Sequence, residues 1–480
     1  MTFIPRPARF ETSIRLPVLS VLLPLCIWSA AGCSSEPEAA RGDILVVILD
    51  TVRRDRLSAY GYERKTSPVL ESLSAASRKY TNAYATSGWT TPSHASLFTG
   101  LYPVRHGATQ ENWQLSQEVN SLAEVLQDAG YQTVGVTGNA MITAERGFDQ
   151  GFEIYHESWR GAPNRARDAI SVEWVKTFLA ERDDPRPLFL FVNLIGAHTP
   201  YDSCGKSCAA FGAKLDGQLT DSFWKDFYLG RRAFTSLQFD RLRRLYDAEV
   251  KEVDANLGRI LIAFDYTRDP ATSLVAVASD HGENIGDHGH VNHVFSLYET
   301  TIQIPLVIRY PKAFARGSVD ERPVQLVDLF PTLLAVAGLA RDDYPSHGRN
   351  LLEDDASPRT ILTEYYRPEQ AMIRLFTDVE RPNERRVSAY QRRLRTISRD
   401  GWKLIWGSDG KHELYHLAQD PEEANNLIAD PRAAVERDGL IEELNALIER
   451  YGQGERFSTE GHSTLDKATQ QELRALGYLE

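Results

Sequence analysis

Only four cysteines and three methionines occur among 480 residues, too few for a disulfide-built scaffold. The sequence also lacks the long apolar runs of a polytopic membrane protein, an internal repeat, and the polar bias that prevents a core from forming. Basic residues are in deficit: 54 Lys and Arg against 66 Asp and Glu leave a net charge of −12. Without a basic footprint there is no argument for nucleic acid as a partner. What is present, 42% hydrophobic and 25% charged residues, is the make-up of a globular protein, with length for one dominant domain and an appendage.

Arg6, Arg9 and Arg15 precede an apolar stretch from Leu16 to Ala31 that is broken by Pro17 and Pro24. It is too short and interrupted to span a bilayer stably, and it reads as an export signal. Its end, Ala30-Ala31-Gly32-Cys33, resembles the cleavage box of a bacterial lipoprotein, with Ala30 where such boxes usually carry leucine. On that likeness residues 1–32 are a signal peptide, Cys33 is the lipidation site, and residues 33–42 are a polar tether. A plain secretory signal with a chance cysteine is the alternative. Removing residues 1–32 takes away three arginines and one glutamate, a net +2, so −12 becomes −14. The expected location is the periplasm or outer membrane, with membrane contact only through the N-terminal lipid. In that oxidising compartment Cys204 and Cys208 pair most simply as a local loop disulfide. A two-cysteine metal site lacks partners nearby.

After Gly42 the chain alternates buried-looking strands with helical patterns. Ile44–Leu49 is a continuous apolar run of strand length, the pattern of a parallel strand covered on both faces, and Asp50 follows it. Leu188–Leu194 is a second run and leads into Gly196-Ala197-His198-Thr199-Pro200-Tyr201; Leu274–Ala278 is a third, ending in Ser279-Asp280-His281-Gly282-Glu283. Helices are expected over Pro68–Arg78, Asn120–Ala129 and Ala169–Ala180. The alternation predicts an α/β fold, a doubly wound, mainly parallel sheet flanked by helices, with ligands beyond the carboxyl ends of the strands. Asp50, Asp280 and His281 all fall at such ends, and two carboxylates with an imidazole make an O/N cage for one divalent cation, calcium, manganese or zinc.

The segment Ser87-Gly-Trp-Thr-Thr-Pro-Ser-His-Ala-Ser-Leu-Phe-Thr-Gly100 resembles the sulfatase branch of the alkaline phosphatase superfamily, in which a nucleophile two residues before Pro-Ser opens a helix. The likeness runs through Leu49-Asp50-Thr-Val-Arg-Arg-Asp55, Gly147-Phe-Asp149, His198-Thr-Pro-Tyr201, Ser279-Asp-His-Gly-Glu283, and Gly401-Trp-Lys-Leu-Ile405. It implies an alkaline phosphatase-like fold, Thr90 as nucleophile and further metal ligand, and His198 and His293 as proton donors to the leaving group. Thr91 has the wrong spacing to Pro92. The departures are specific. Thr90 stands where sulfatases carry the cysteine that becomes formylglycine, which excludes a formylglycine mechanism. His94 replaces an arginine, Thr51 the second aspartate of the first metal motif, Asn139 a lysine, and His293 a position that is often lysine. His94 and Asn139 are therefore the substrate-binding candidates, His94 contacting the anion or only filling that space.

A free threonine hydroxyl is almost fully protonated at neutral pH, so it needs coordination or an adjacent base to attack. If Pro92 begins a helix, the dipole at Thr90 favours an anion. Trp89 walls the pocket or packs in the core; His106 caps or packs a helix end; His288 and His290 order a loop or hold a second cation. From Glu353 the composition shifts into a smaller C-terminal subdomain, residues 353–480, after a catalytic domain at residues 43–352. It is expected to be α+β, with strands near Thr360–Tyr365, Leu394–Ser398 and Lys403–Trp406, a helix through Leu440 and Leu444, and a helical tail marked by Leu473, Leu476 and Leu479. Three functions follow. The first is hydrolysis of a sulfate or phosphate ester of a small molecule, glycan or lipid. The second is transfer of a phosphoalcohol group to an envelope acceptor, and the third is non-catalytic binding on the same scaffold.

Overall fold

The computed structural model describes residues 41–163, 166–202, 204–213, 223–339, 343–368, 389–453, 457 and 466–475. The leader, Cys33, Leu476 and Leu479 lie outside them. A nine-stranded sheet organises the chain: β1 (Ile44–Leu49), β2 (Arg78–Tyr84), β3 (Gln132–Thr137), β4 (Ile154–Glu157), β5 (Leu188–Leu194) and β6 (Leu274–Ala278). After a short ladder of β7 (Asn284–Ile285) with β8 (Val291–Asn292), it is completed by β9 (Gln303–Arg309), β10 (Ser318–Asp320) and β11 (Val324–Gln325). The order is β10-β2-β9-β6-β1-β5-β3-β4, with β11 also on β2. Every pairing is parallel except the two made by β9, so the sheet is mainly parallel, as expected.

Both faces of the sheet are covered, which is why its central strands are almost wholly apolar. Along β1, Leu45, Val47 and Leu49 join one core while Ile44, Val46 and Ile48 join the other. Leu188, Leu190 and Val192 against Phe189 and Phe191 repeat the alternation along β5. The first core takes side chains from the helices Arg167–Glu181 and Ser236–Thr267, the second from Thr90–Thr99, Leu122–Asp128 and Leu329–Val336. None of the described helices is long and apolar enough to cross a membrane.

The C-terminal sheet is antiparallel, in the order β12 (Ile361–Tyr365), β13 (Leu394–Arg399), β14 (Trp402–Gly407) and β15 (Glu413–His416). Leu362, Ile397, Leu404 and Leu414 pack with Leu440 and Leu444 of the helix Ala434–Gly452, and with Tyr102 and Val327 from the larger part of the chain. The expected helix over Pro68–Arg78 stops at Ser74, because Arg78 already belongs to β2. The helix expected to begin at Pro92 begins at Thr90.

Candidate active site

The adjacent parallel strands β6, β1, β5 and β3 deliver the centre from their carboxyl ends. Asp280 and His281 follow β6, Asp50 follows β1, Asn193 lies near the end of β5, and Asn139 follows β3. One ligand atom from each of Asp50, Asp280 and His281 lies within 4.8 Å of the other two. All three side chains are fully buried. Thr90 enters from the first turn of its helix and sets Oγ1 at 3.3 Å from His281 Nε2. Its backbone opens the helix, so the dipole's positive end lies at Thr90.

The backbone is shaped to this end. Thr51 follows Asp50 at φ +57°, a costly conformation for a β-branched residue. The turn lets the Thr51 N–H donate to Asp280 Oδ1 at 3.1 Å, and the Tyr246 hydroxyl of the long helix donates to the Thr51 carbonyl at 2.7 Å. The His281 N–H donates to the same Asp280 oxygen at 2.9 Å. Asp50 Oδ2 accepts from Asn139 Nδ2 at 2.7 Å and Asn193 Nδ2 at 3.1 Å. Asp50 Oδ1 and Asp280 Oδ2 have no hydrogen-bond donor among the described residues. These are the lone pairs a cation would use, and one carboxylate oxygen of each residue is already fixed in place.

The electrostatics pose the same demand. Burial drives the Asp50 carboxyl up, but the imidazoles of His198, His281 and His94 and the Asn139 amide outweigh it and hold its pKa low. Asp280 is pushed well above the usual carboxylate range by burial and by the neighbouring charge of Asp50. Two buried carboxylates this close cannot both ionise cheaply without a cation between them. The donor set therefore fits a divalent ion.

His293 and His198 lie beside the cage. Their ring centroids are 5.1 Å apart, and His293 is 4.5 Å from His281. Burial and the neighbouring His198 depress His293 well below an ordinary histidine. Trp89 meets the His293 ring edge-on at 5.6 Å and packs in the core. His94 Nδ1 donates to the Thr90 carbonyl at 2.9 Å and lies 3.6 Å from Asp280 Oδ2, with its ring against Phe98 and Phe191. Asn139 donates to Asp50. His288 stacks on Tyr298 and His290 contacts the Tyr228 hydroxyl, both as loop contacts. Cys204 and Cys208 are joined as a disulfide.

Two polar residues of the centre were given no role from the sequence. Asn193 is the one amide in an otherwise apolar strand, which was its only sign. Glu283, fully buried with Oε1 at 3.5 Å from His293 Nδ1, is raised to about 8, chiefly by burial.

Residues 43–339 match the family model Sulfatase, and residues 286–450 match the model N-sulphoglucosamine sulphohydrolase, C-terminal. An N-acetylglucosamine-6-O-sulfatase of Bacteroides thetaiotaomicron is 23% identical over 525 aligned residues, covering 90% of this chain and 91% of that protein. A choline-sulfatase of Rhizobium meliloti is 22% identical, covering 82% of this chain and 84% of the other. Among solved structures, the phosphonate monoester hydrolase of Agrobacterium radiobacter superposes with a TM-score of 0.70 at 22% identity, over 86% of this chain and 96% of that one. The chain belongs to the sulfatase family.

Proposed function

We propose that this protein is a metal-dependent hydrolase that cleaves a sulfate or phosphate ester by in-line attack of Thr90. The observation that carries the reading is the placement of Thr90 Oγ1 beside His281 Nε2, itself 3.3 Å from Asp280 Oδ2 in the cluster those two residues make with Asp50. Asp50, Asp280, His281 and Thr90 would hold one divalent cation; the imidazole in the set favours zinc, while the two carboxylates equally suit manganese or calcium. When bound, that ion supplies positive charge against a non-bridging oxygen of the ester and against the threonine oxygen.

The chain's own residues do the rest. In the first half-reaction the ionised Thr90 oxygen bonds to sulfur or phosphorus as the bond to the ester oxygen breaks. The departing alkoxide takes a proton from the imidazolium of His198, beside which the depressed His293 ring stays neutral. In the second, water gives a proton to that imidazole and attacks the threonine ester, which releases inorganic sulfate or phosphate and restores Thr90. His94 holds the carbonyl of Thr90 and so sets the first turn of the helix, while Asn139 and Asn193 orient Asp50.

The relatives named for glycan and small-molecule sulfate substrates support a substrate of that class. Export with lipidation at Cys33, and the division into a domain at residues 43–352 and a subdomain at residues 353–480, belong to the same reading. The test is a screen of aryl sulfate, phosphate monoester and phosphodiester substrates against protein loaded with manganese, zinc or calcium. Thr90→Ala should abolish turnover of whichever ester is cleaved, and unchanged turnover would refute the nucleophile.

A further inference from the structure

His198 reaches the site on a turn, Ile195-Gly196-Ala197-His198, that leaves β5 and is closed by a hydrogen bond from the His198 N–H to the Ile195 carbonyl at 2.9 Å. A buried carboxylate grips that turn from behind. Asp168 Oδ1 accepts the Ile195 N–H at 2.8 Å and Oδ2 the Gly196 N–H at 3.0 Å. The fit is tight: a Cβ on residue 196 would stand 2.6 Å from Asp168 Oδ2.

Asp168 lies in the first turn of the helix Arg167–Glu181, and its neighbour Arg167, almost fully buried, pairs with Glu472. Glu472 belongs to the tail helix Lys467–Ala475, more than 300 residues away in the chain. The tail is held by three further contacts. Arg160 pairs with Asp466 at 2.7 Å, the Thr469 hydroxyl donates to Glu145 at 3.1 Å, and Leu473 is fully buried in the core beneath the helix. A helix ordinarily peripheral to a catalytic domain is thus tied to the residue next to the one that holds the His198 turn.

We infer that Asp168 is the positioning residue of His198 and that the C-terminal tail helix, through Arg167, locks Asp168 in place. The two backbone N–H groups fix the path of the turn, and the turn fixes how far the imidazole stands from the ester oxygen. A misplacement of about 1 Å in a reacting group is enough to cost about 100-fold in rate. Both carboxylate oxygens of Asp168 are used on the His198 turn, so its loss acts first on that turn. The inference rests on the reading of His198 as a proton donor.

The test compares an ester with a good leaving group, such as a 4-nitrophenyl ester, with one having an alkyl leaving group, on the full-length, metal-loaded protein. Loss of a proton donor slows the alkyl ester selectively. Asp168→Asn, which keeps one acceptor and loses the other, should lower kcat on the alkyl ester by about 10- to 100-fold with little change in KM, and spare the activated ester. Amide exchange at Ile195 and Gly196 should quicken. Glu472→Gln, at the partly exposed surface of the tail, should give the same pattern more weakly and serves if Asp168→Asn does not fold. A selective loss in His198→Ala without one in either variant, and unchanged exchange at Ile195 and Gly196, overturns the inference. If His198→Ala shows no selective loss, the proton-donor reading itself falls and the inference with it, even where exchange at the turn has quickened.

Discussion

Asp50 divides its two oxygens between two tasks. Oδ2 takes both amide donors, and Oδ1 is left without one. Removing a donor should loosen the carboxylate without removing it, so Asn193→Ala is expected to weaken metal affinity about 10- to 100-fold, measured by calorimetric titration with manganese or zinc. His106 shows how a buried imidazole behaves away from the cage. Nδ1 accepts from the Ala108 N–H at 3.1 Å and Nε2 lies 3.0 Å from the Ser96 hydroxyl, so the ring is held neutral, and burial drives its pKa down to about 3. The folded state refuses a proton that the unfolded state takes near pH 6.5. Its contribution is therefore intact above that value and is lost as pH falls towards 3. Between pH 6.5 and 5 the loss is roughly 2 kcal/mol, and His106→Asn should flatten that part of the stability curve in urea melts. At this scale the sequence betrayed Asp50, Asp280 and His281, because a charged group directly after an apolar strand has few structural excuses. It did not betray Asn193 or Asp168, since a single polar residue inside an apolar pattern looks the same whether it holds a neighbour in place or only fills a gap.

Among elements, the central strands were legible for a reason that the edges do not share. Ile44–Leu49, Leu188–Leu194 and Leu274–Ala278 are buried on both faces and are apolar at every position but Asn193. β2, Arg78–Tyr84, carries Arg78, Lys79 and Asn82 in a half-buried strand, and its start passes for the end of the preceding helix. β9 is interrupted by Pro305 and runs against its neighbours, so no crossover helix announces it. The contact between the two sheets has its own fastening. Lys403 of β14, fully buried, places Nζ 2.9 Å from Glu299 and 2.7 Å from Glu423. Lys403→Met would leave two carboxylates facing each other out of water, and the expected loss is roughly 3–5 kcal/mol, read from the urea midpoint at neutral pH.

For the whole molecule, a cation in the proposed cage would be a structural matter as well as a chemical one. An ion that binds only the folded state should raise stability by about 2.7 kcal/mol at a hundredfold excess over its Kd, because it relieves the repulsion between Asp50 and Asp280. Chelation should lower the melting temperature of the wild-type protein, and Asp280→Asn should remove the metal-dependent part of the shift in calorimetry. The expected α/β architecture, the parallel sheet and the smaller antiparallel one all appear at this scale, since alternation of strand and helix survives errors at individual boundaries. What the sequence left out is how distant segments lean on one another, as the tail helix does on the Arg167 pair.

Asp280 accepts a hydrogen bond from the residue after Asp50, across 229 positions of chain. Contacts of that separation form late, after the intervening polymer has been organised. Until residue 281 has been made and β6 has docked beside β1, there is no pair of carboxylates to collect an ion and nothing for a threonine to be activated against. On the proposed mechanism, a nascent chain that ends before residue 281 is therefore chemically inert.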